Sequence, residues 1–149
     1  MSALRQAVDL DAAQAEANDR LALLLATSWD PRVRDPAAAV ESGKRAVKLT
    51  PTNGSFWNTL GIAQFRAGDW RAAAEALETA RELSGGRNHA DLFILAMAYW
   101  RMGDKEKARR EYEEAVRELE KDRAGKAAQA CCRDEAAALL GIGDQGTEK

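Results

Sequence analysis

The sequence predicts an all-α fold in which helical hairpins stack into a solenoid. The chain has 149 residues, is 46% hydrophobic and contains only three Pro, which fall between segments of helical character. Residues 57–83 recur as residues 92–118, with equivalent positions 35 residues apart. A repeat of this period is typical of stacked helix pairs. Helix-capping residues at the expected hairpin ends support the same interpretation.

Seven positions carry the repeat. In residues 57–83 they are Trp57, Leu60, Gly61, Gly68, Asp69, Ala73 and Ala80, and in residues 92–118 they are Leu92, Leu95, Ala96, Gly103, Asp104, Ala108 and Ala115. A looser upstream copy is formed by Asn18, Leu21, Ala22 and Leu25, then by Asp35, Ala39, Ala46 and Pro51. Since Asn18 lies 39 residues before Trp57, this copy is predicted to carry extra residues in its turn, around Ser28 to Arg34.

Local signals place the helix ends. Asp35 and Pro36 are typical of a helix start, and Asn53 is predicted to cap the helix that carries Trp57. The pairs Gly68-Asp69 and Gly103-Asp104 each end one helix and cap the next. The predicted helices cover about residues 3–11, 13–28, 36–49, 54–67, 70–84, 89–102, 105–122 and 125–140.

We interpret residues 1–149 as a single domain. Its parts are a half-repeat at 1–11, repeats at 13–50, 53–85 and 88–122, and a C-terminal capping helix at 125–140. The segment Ala7 to Asp11 echoes Ala46 to Thr50, so the chain is expected to begin in the middle of a solenoid. Either the chain is a piece of a larger protein, or the half-repeat serves as an N-terminal cap.

The motif Trp57-x-x-Leu60-Gly61, followed by Gly68-Asp69-Trp70, Ala73 and Ala80, resembles the tetratricopeptide repeat consensus. The resemblance covers three repeats, at about residues 15–120. The chain is similar to bacterial modules that are often attached to signalling domains. It implies a right-handed superhelix whose first helices line a concave groove for peptides or partner domains. The basic, Asn-rich clamp of chaperone-tail binders is missing, because the matching positions hold Asp19, Leu23, Thr59, Ala90 and Ile94. Gln64 also replaces the usual aromatic residue.

Each first helix carries two stripes at helical spacing. The stripe through Trp57 and Leu60, or Leu92 and Leu95, is predicted to pack within the repeat. The second stripe is predicted to line a partner-binding groove and comprises Asn58, Ile62, Phe65, Arg66, Phe93, Met97, Trp100 and Arg101. The alternative interpretation places its apolar members in the core, and the C-terminal helix is a further candidate to cover them.

Composition argues against several other classes of function. The 22 basic and 24 acidic residues nearly cancel, with a pI of about 5.5, so nucleic acid is not an expected partner. The N-terminus lacks the apolar centre of a secretory signal, and no apolar run approaches the roughly 20 residues that a membrane span needs. We therefore expect neither membrane insertion nor export, and a cytoplasmic location.

Catalytic and metal chemistry have little support in the sequence. The single histidine, His89, follows the Gly85-Gly86 turn, where capping or exposure is the simpler role. Cys131 and Cys132 are adjacent and lack the spacing of a zinc site, so they are interpreted as small apolar residues in a reducing compartment. We expect no enzymatic activity, no metal and no cofactor.

The sequence thus favours a scaffold that receives a peptide or helix of a protein partner in the groove. The alternative is a structural, oligomerisation or regulatory module of a larger signalling protein. In that case the open solenoid end at residues 1–11 would stack on a second copy or on another domain.

Overall fold

The structure is a computed structural model that describes the backbone of residues 2–84, 89–121 and 135–141, and the side chains of residues 10–84, 91–121 and 135–141. Within these ranges the chain forms helices and no strand, which confirms the predicted all-α class. The helices are α1 (Ser2–Thr27), α2 (Pro36–Leu49), α3 (Gly54–Arg66), α4 (Trp70–Ser84), α5 (His89–Arg101) and α6 (Lys105–Lys121). A further helical segment covers 135–140.

The starts of α2 and α3 follow from side-chain capping. Asp35 accepts a hydrogen bond from the Ala38 N–H at 3.1 Å, and Pro36 occupies the first turn, where no N–H is needed. Asn53 accepts from the Ser55 N–H at 3.0 Å and begins α3. Because these signals are local in sequence, the predicted bounds of α2 to α6 agree with the observed bounds to within one residue.

The turns from α3 to α4 and from α5 to α6 share one geometry. Gly68 and Gly103 have φ angles of +89° and +92°, in the left-handed region that a residue with a Cβ avoids. In each turn the glycine N–H donates to the carbonyl three residues earlier at 3.1 Å, and the aspartate N–H to the carbonyl five residues earlier at 3.0 Å. The Asp69 and Asp104 carboxylates then cap the next helix at 3.2 and 3.1 Å.

The N-terminal region differs from the prediction. The helices expected separately at 3–11 and 13–28 form one helix, α1, so the predicted break near residue 12 is wrong. The physical reason lies in residues 10–15, Leu-Asp-Ala-Ala-Gln-Ala, which contain neither Gly nor Pro and are dominated by the strongest helix former. The echo of a second-helix sequence at residues 7–11 therefore does not produce a turn.

The connection between α1 and α2 confirms the predicted insertion. It spans residues 28–35, whereas the other two hairpin turns span only residues 67–69 and 102–104. Asp30 and Arg32 form a paired salt bridge, with distances of 3.0 and 3.1 Å from the guanidinium nitrogens to the carboxylate oxygens. The Arg34 side chain donates to the Ser28 carbonyl at 2.9 Å. These contacts give the longer turn a defined shape.

The chain divides into two compact units, at residues 1–86 and 87–149. In the first unit α1 packs against α2 and α3, and α3 packs against α2 and α4; in the second unit α5 packs against α6. Each second helix buries two alanines seven residues apart, and all six are 0% exposed: Ala39 and Ala46, Ala73 and Ala80, Ala108 and Ala115. Small side chains at these positions let paired helices approach closely. The organisation of residues 1–149 as one domain remains a prediction.

Candidate functional site

The eight residues predicted to line a groove lie on α3 and α5, the first helices of two consecutive repeats. Asn58, Ile62, Phe65 and Arg66 belong to α3, and Phe93, Met97, Trp100 and Arg101 belong to α5. The two helices fall in different compact units, α3 in residues 1–86 and α5 in residues 87–149.

On α3, the predicted stripe is partly core. Phe65 is only 7% exposed and contacts the Trp70 ring at a centroid distance of 5.2 Å, so its expected groove position is corrected to a packing position. Ile62 is partly buried against a small alanine cluster. Asn58 is partly exposed and Arg66 exposed, with the Arg66 guanidinium 5.8 Å from the centre of the Phe65 ring. The accessible part of this stripe is therefore polar at both ends.

On α5, burial extends around the whole helix. Every residue from Asp91 to Tyr99 is buried, and the expected groove residues Phe93 and Met97 are 0% and 1% exposed. Both are corrected to core residues, and the Phe93 ring meets the Tyr112 ring edge-on at 5.6 Å. A helix that is apolar on all sides gives no periodic signal to separate a packing stripe from a binding stripe, which explains the error.

Trp100 lies where this buried stretch ends and is partly exposed; Arg101 beside it is exposed. The Lys105 ammonium lies 5.0 Å from the centre of the Trp100 ring, a cation–π contact across the α5–α6 turn. The equivalent pair, 35 residues earlier, is Phe65 and Trp70. The same two positions thus hold an aromatic pair in one repeat and an aromatic–cation pair in the next, and only the second leaves its first-helix ring partly accessible.

Trp29 is a surface aromatic residue that was not predicted from the sequence. Its side chain is 88% exposed in the long turn between α1 and α2. Hydrogen bonds from Arg32 hold the pKa of the neighbouring Asp30 carboxyl below its ordinary value. The sequence did contain a signal for this exposure. Trp29 lies in the insertion that distinguishes the first repeat, in a turn whose other residues are largely charged.

A polar cavity of about 400 Å³ lies where the middle of α1 meets the end of α2 and the start of α3. It is lined by Ala12, Glu16, Asp19, Arg20, Thr50, Asn53, Ser55 and Phe56. Burial raises the pKa of the Asp19 carboxyl, against a smaller lowering by the nearby Thr59 hydroxyl. One carboxylate oxygen, Asp19 Oδ1, is buried without a hydrogen-bond partner in the described part of the chain. No single stretch of sequence indicates this cavity, because three helices form it.

The residues considered for chemistry fall mostly outside the described ranges. These are the Gly85-Gly86 turn, the side chain of His89, and the Cys131-Cys132 pair with the first part of the predicted capping helix. Among the described side chains, no group of three His, Cys, Asp or Glu residues is placed to hold a metal ion. None of the described helices combines the length and the hydropathy of a transmembrane span.

Helical hairpins with a common turn geometry and equivalent buried alanines define a helical-repeat protein. A family model, described as the tetratricopeptide repeat, matches residues 89–122, which contain α5, α6 and the turn between them. Residues 89–122 are thus similar to a tetratricopeptide repeat. Repeats of this family generally mediate protein–protein interaction, and proteins built from them are typically non-enzymatic scaffolds.

The fold is also similar to a solved structure, the crystal structure of MamA. The two are 29% identical in sequence with a TM-score of 0.51, and the match covers 72% of this chain. It covers 66% of the MamA chain, so this chain spans just under two thirds of MamA. No curated protein matches the sequence.

Proposed function

We propose that this protein is an interaction scaffold that binds a peptide or helix of a partner protein on its first helices, with Trp100 as the main apolar anchor. The observation that carries the proposal is the partial exposure of Trp100 at the end of an otherwise buried helix. Tryptophan is enriched among the residues that dominate binding energy, since it combines a large apolar area with few rotatable bonds. No catalytic step is part of this proposal.

The surroundings of Trp100 suit such an anchor. Lys105 holds one side of the ring, which reduces the conformational entropy that is lost when a partner covers the other side. Arg101 is exposed next to it, and Arg66 occupies the equivalent position in the preceding repeat. A segment that places an apolar side chain on Trp100 and an acidic side chain near Arg101 has the expected chemistry. The cytoplasmic location expected from the sequence belongs to this proposal.

The test places a photoreactive amino acid at position 100 in cells, identifies the crosslinked protein, and measures its affinity for purified wild-type and Trp100→Glu chains. We expect Trp100→Glu to weaken binding by about 30-fold, which corresponds to a typical anchor contribution of about 2 kcal/mol. The matched control is Leu83→Glu, which places the same new charge on an exposed apolar position of a second helix, 44% exposed.

Circular dichroism must show that both variants remain helical. Retention of every crosslinked partner by a folded Trp100→Glu chain would contradict the proposed anchor. Equal losses in Trp100→Glu and Leu83→Glu would also contradict it, because the effect would then follow from added charge in general.

A second candidate function is self-association, and a specific surface of α1 favours it. Leu10, Leu21 and Leu24 are 61%, 45% and 54% exposed, and their spacing places them on one side of the helix together with the exposed Ala13 and Ala17. A row of exposed leucines is costly in water unless another surface covers it. A second copy stacked on α1 would do so.

Sedimentation at increasing protein concentration tests the second candidate. A dimer that dissociates in a Leu21→Glu/Leu24→Glu double variant, and persists in a Leu83→Glu control, supports stacking through α1. A wild-type chain that stays monomeric at high concentration argues against it and leaves the scaffold proposal unaffected.

A further inference from the structure

We propose that the cavity between α1, α2 and α3 binds a basic side chain, Arg or Lys, presented by the partner segment, with Asp19 and Glu16 as its acceptors. The inference rests on the proposed scaffold function and names part of the partner's chemistry. Three features of the cavity carry it: its balance of charge, its occupied N–H donors, and an acceptor oxygen that has no donor.

The charged residues that line the cavity are all on α1: Glu16, Asp19 and Arg20. Arg20 and Glu16 already form an ion pair at i, i+4 spacing, with both side chains largely exposed. The lining residues contributed by the connection between α2 and α3 and by the start of α3 are uncharged. The charge that remains unbalanced is the carboxylate of Asp19, so the cavity favours a cation over an anion.

The start of α3 would ordinarily attract an anion, because the first N–H groups of a helix lack partners within it. Here Asn53 occupies them. Its side chain accepts from Ser55 N–H at 3.0 Å, and its carbonyl accepts from the N–H groups of Phe56 and Trp57 at 3.1 and 3.4 Å. An anionic ligand would therefore find two carboxylates and few available backbone donors.

The nature of the cation follows from size and ligand count. Two carboxylates, one already paired, fall short of the ligand set of a metal ion, and the described residues contain no cluster of three candidate metal ligands. A volume of about 400 Å³ is within the range of organic ligand pockets. A guanidinium or ammonium group on an aliphatic stem fits both, and its stem can lie along Phe56 and Ala12.

Asp19 is the residue that determines specificity in this proposal. The Thr59 hydroxyl of α3, which is close enough to influence the Asp19 carboxylate, donates to the Ser55 carbonyl at 3.2 Å, while Asp19 Oδ1 lacks a donor within the described part of the structure. Oδ1 is buried, so the carboxylate must rotate before a ligand in the cavity can reach this oxygen, and the terminal torsion of Asp is broad. A cationic N–H group would supply the missing hydrogen bond and compensate the burial of the charge.

The experiment titrates the isotope-labelled full chain with N-acetyl-L-arginine amide and follows the amide signals by NMR. The neutral isostere N-acetyl-L-citrulline amide is the ligand control. We expect the arginine probe to shift the signals of Ser55, Phe56 and Asp19, and the citrulline probe to leave them in place. Asp19→Asn should raise the dissociation constant of the arginine probe by about tenfold or more, as for loss of a charge-assisted hydrogen bond.

The control variant is Glu75→Gln, which removes one exposed carboxylate from α4, away from the cavity, and should bind like the wild type. Asp19→Asn keeps the size of the side chain while it removes the charge, and Glu16→Gln provides a second cavity variant. Equal responses to arginine and citrulline, unchanged binding in both cavity variants, or preference for N-acetyl-glutamate would overturn the inference.

This outcome can be separated from that of the scaffold proposal. Failure of the arginine probe, with partner binding still lost in Trp100→Glu, removes only the cation site. Arginine binding at the cavity, with partner binding unaffected by Trp100→Glu, contradicts the Trp100 anchor and leaves the cation site in place.

Discussion

Gly61 shows how tightly the first and second helices of a repeat approach. A Cβ at this position would lie 2.7 Å from Leu77 Cγ and 2.9 Å from Leu77 Cδ2. Replacing a helical glycine by alanine ordinarily stabilises a protein by about 0.5–1 kcal/mol. Here we expect Gly61→Ala to destabilise the chain by about 1–3 kcal/mol, because the added methyl overpacks a buried contact. Urea unfolding measures the difference.

Two further variants test this explanation of Gly61. Ala96 holds the equivalent position in the next repeat and is fully buried, so Ala96→Gly reports the ordinary helix effect and should be mildly destabilising. In a Gly61→Ala/Leu77→Ala double variant the clash disappears. The double variant should therefore lose less stability than the sum of the losses in the two single variants. Full additivity would show that Leu77 is not the obstacle.

Asp19 is expected to make stability depend on pH. Its pKa is raised in the folded chain, chiefly by burial, so the folded state binds its proton at a higher pH than the unfolded state. The ionised carboxylate therefore lowers stability above the folded-state pKa, and this loss fades as the pH falls from the folded-state pKa to the unfolded value, below which it is absent. Asp19→Asn should be more stable than the wild type at neutral pH, with the difference shrinking in acid. A constant difference between pH 7 and pH 4 would argue against the burial effect.

At the scale of single elements, the turns decide where helices end. Gly68 and Gly103 hold positive φ angles, and the space around a Cβ at either position is open. Gly68→Ala and Gly103→Ala should therefore each cost about 1 kcal/mol through backbone strain alone. Thermal unfolding gives the comparison, with the conservative Ala67→Ser, next to the first turn, as a control. Unequal costs in the two turns would contradict their shared geometry.

The same elements show what the sequence can predict. Helix starts at Asp35 and Asn53 and ends at Gly68 and Gly103 were predictable, because each depends on a few adjacent residues. The prediction of a break near residue 12 was wrong, because the similarity of residues 7–11 to the end of a second helix does not provide a residue that ends a helix. The positions of these helix ends were thus set by a few neighbouring residues. The continuity of α1 was instead decided by the absence of Gly and Pro near residue 12.

The candidate site was harder to predict, because it depends on which side of a helix remains exposed. On α5 the sequence is apolar all round, and the structure buries Phe93 and Met97 while Trp100 stays partly accessible. Periodicity cannot separate these three residues. The cavity beside Asp19 arises from the meeting of three helices, and its lining residues are scattered between positions 12 and 56. A site of this kind can be recognised only from the tertiary structure, because its residues are distant in the sequence.

At the scale of the whole molecule, the division into two compact units affects how a local change spreads. In repeat proteins each repeat contacts only its neighbours, so stability is approximately a sum of repeat and interface terms. Gly103→Ala strains the turn of the second unit, between α5 and α6. We expect amide hydrogen exchange to quicken most in α5 and α6 of the second unit, and less in the helices of the first unit. Gly68→Ala is the matched control and should give its largest effect in α3 and α4. Exchange that quickens equally in all helices would instead show that the chain opens as one cooperative body, with both units sharing a single unfolding equilibrium.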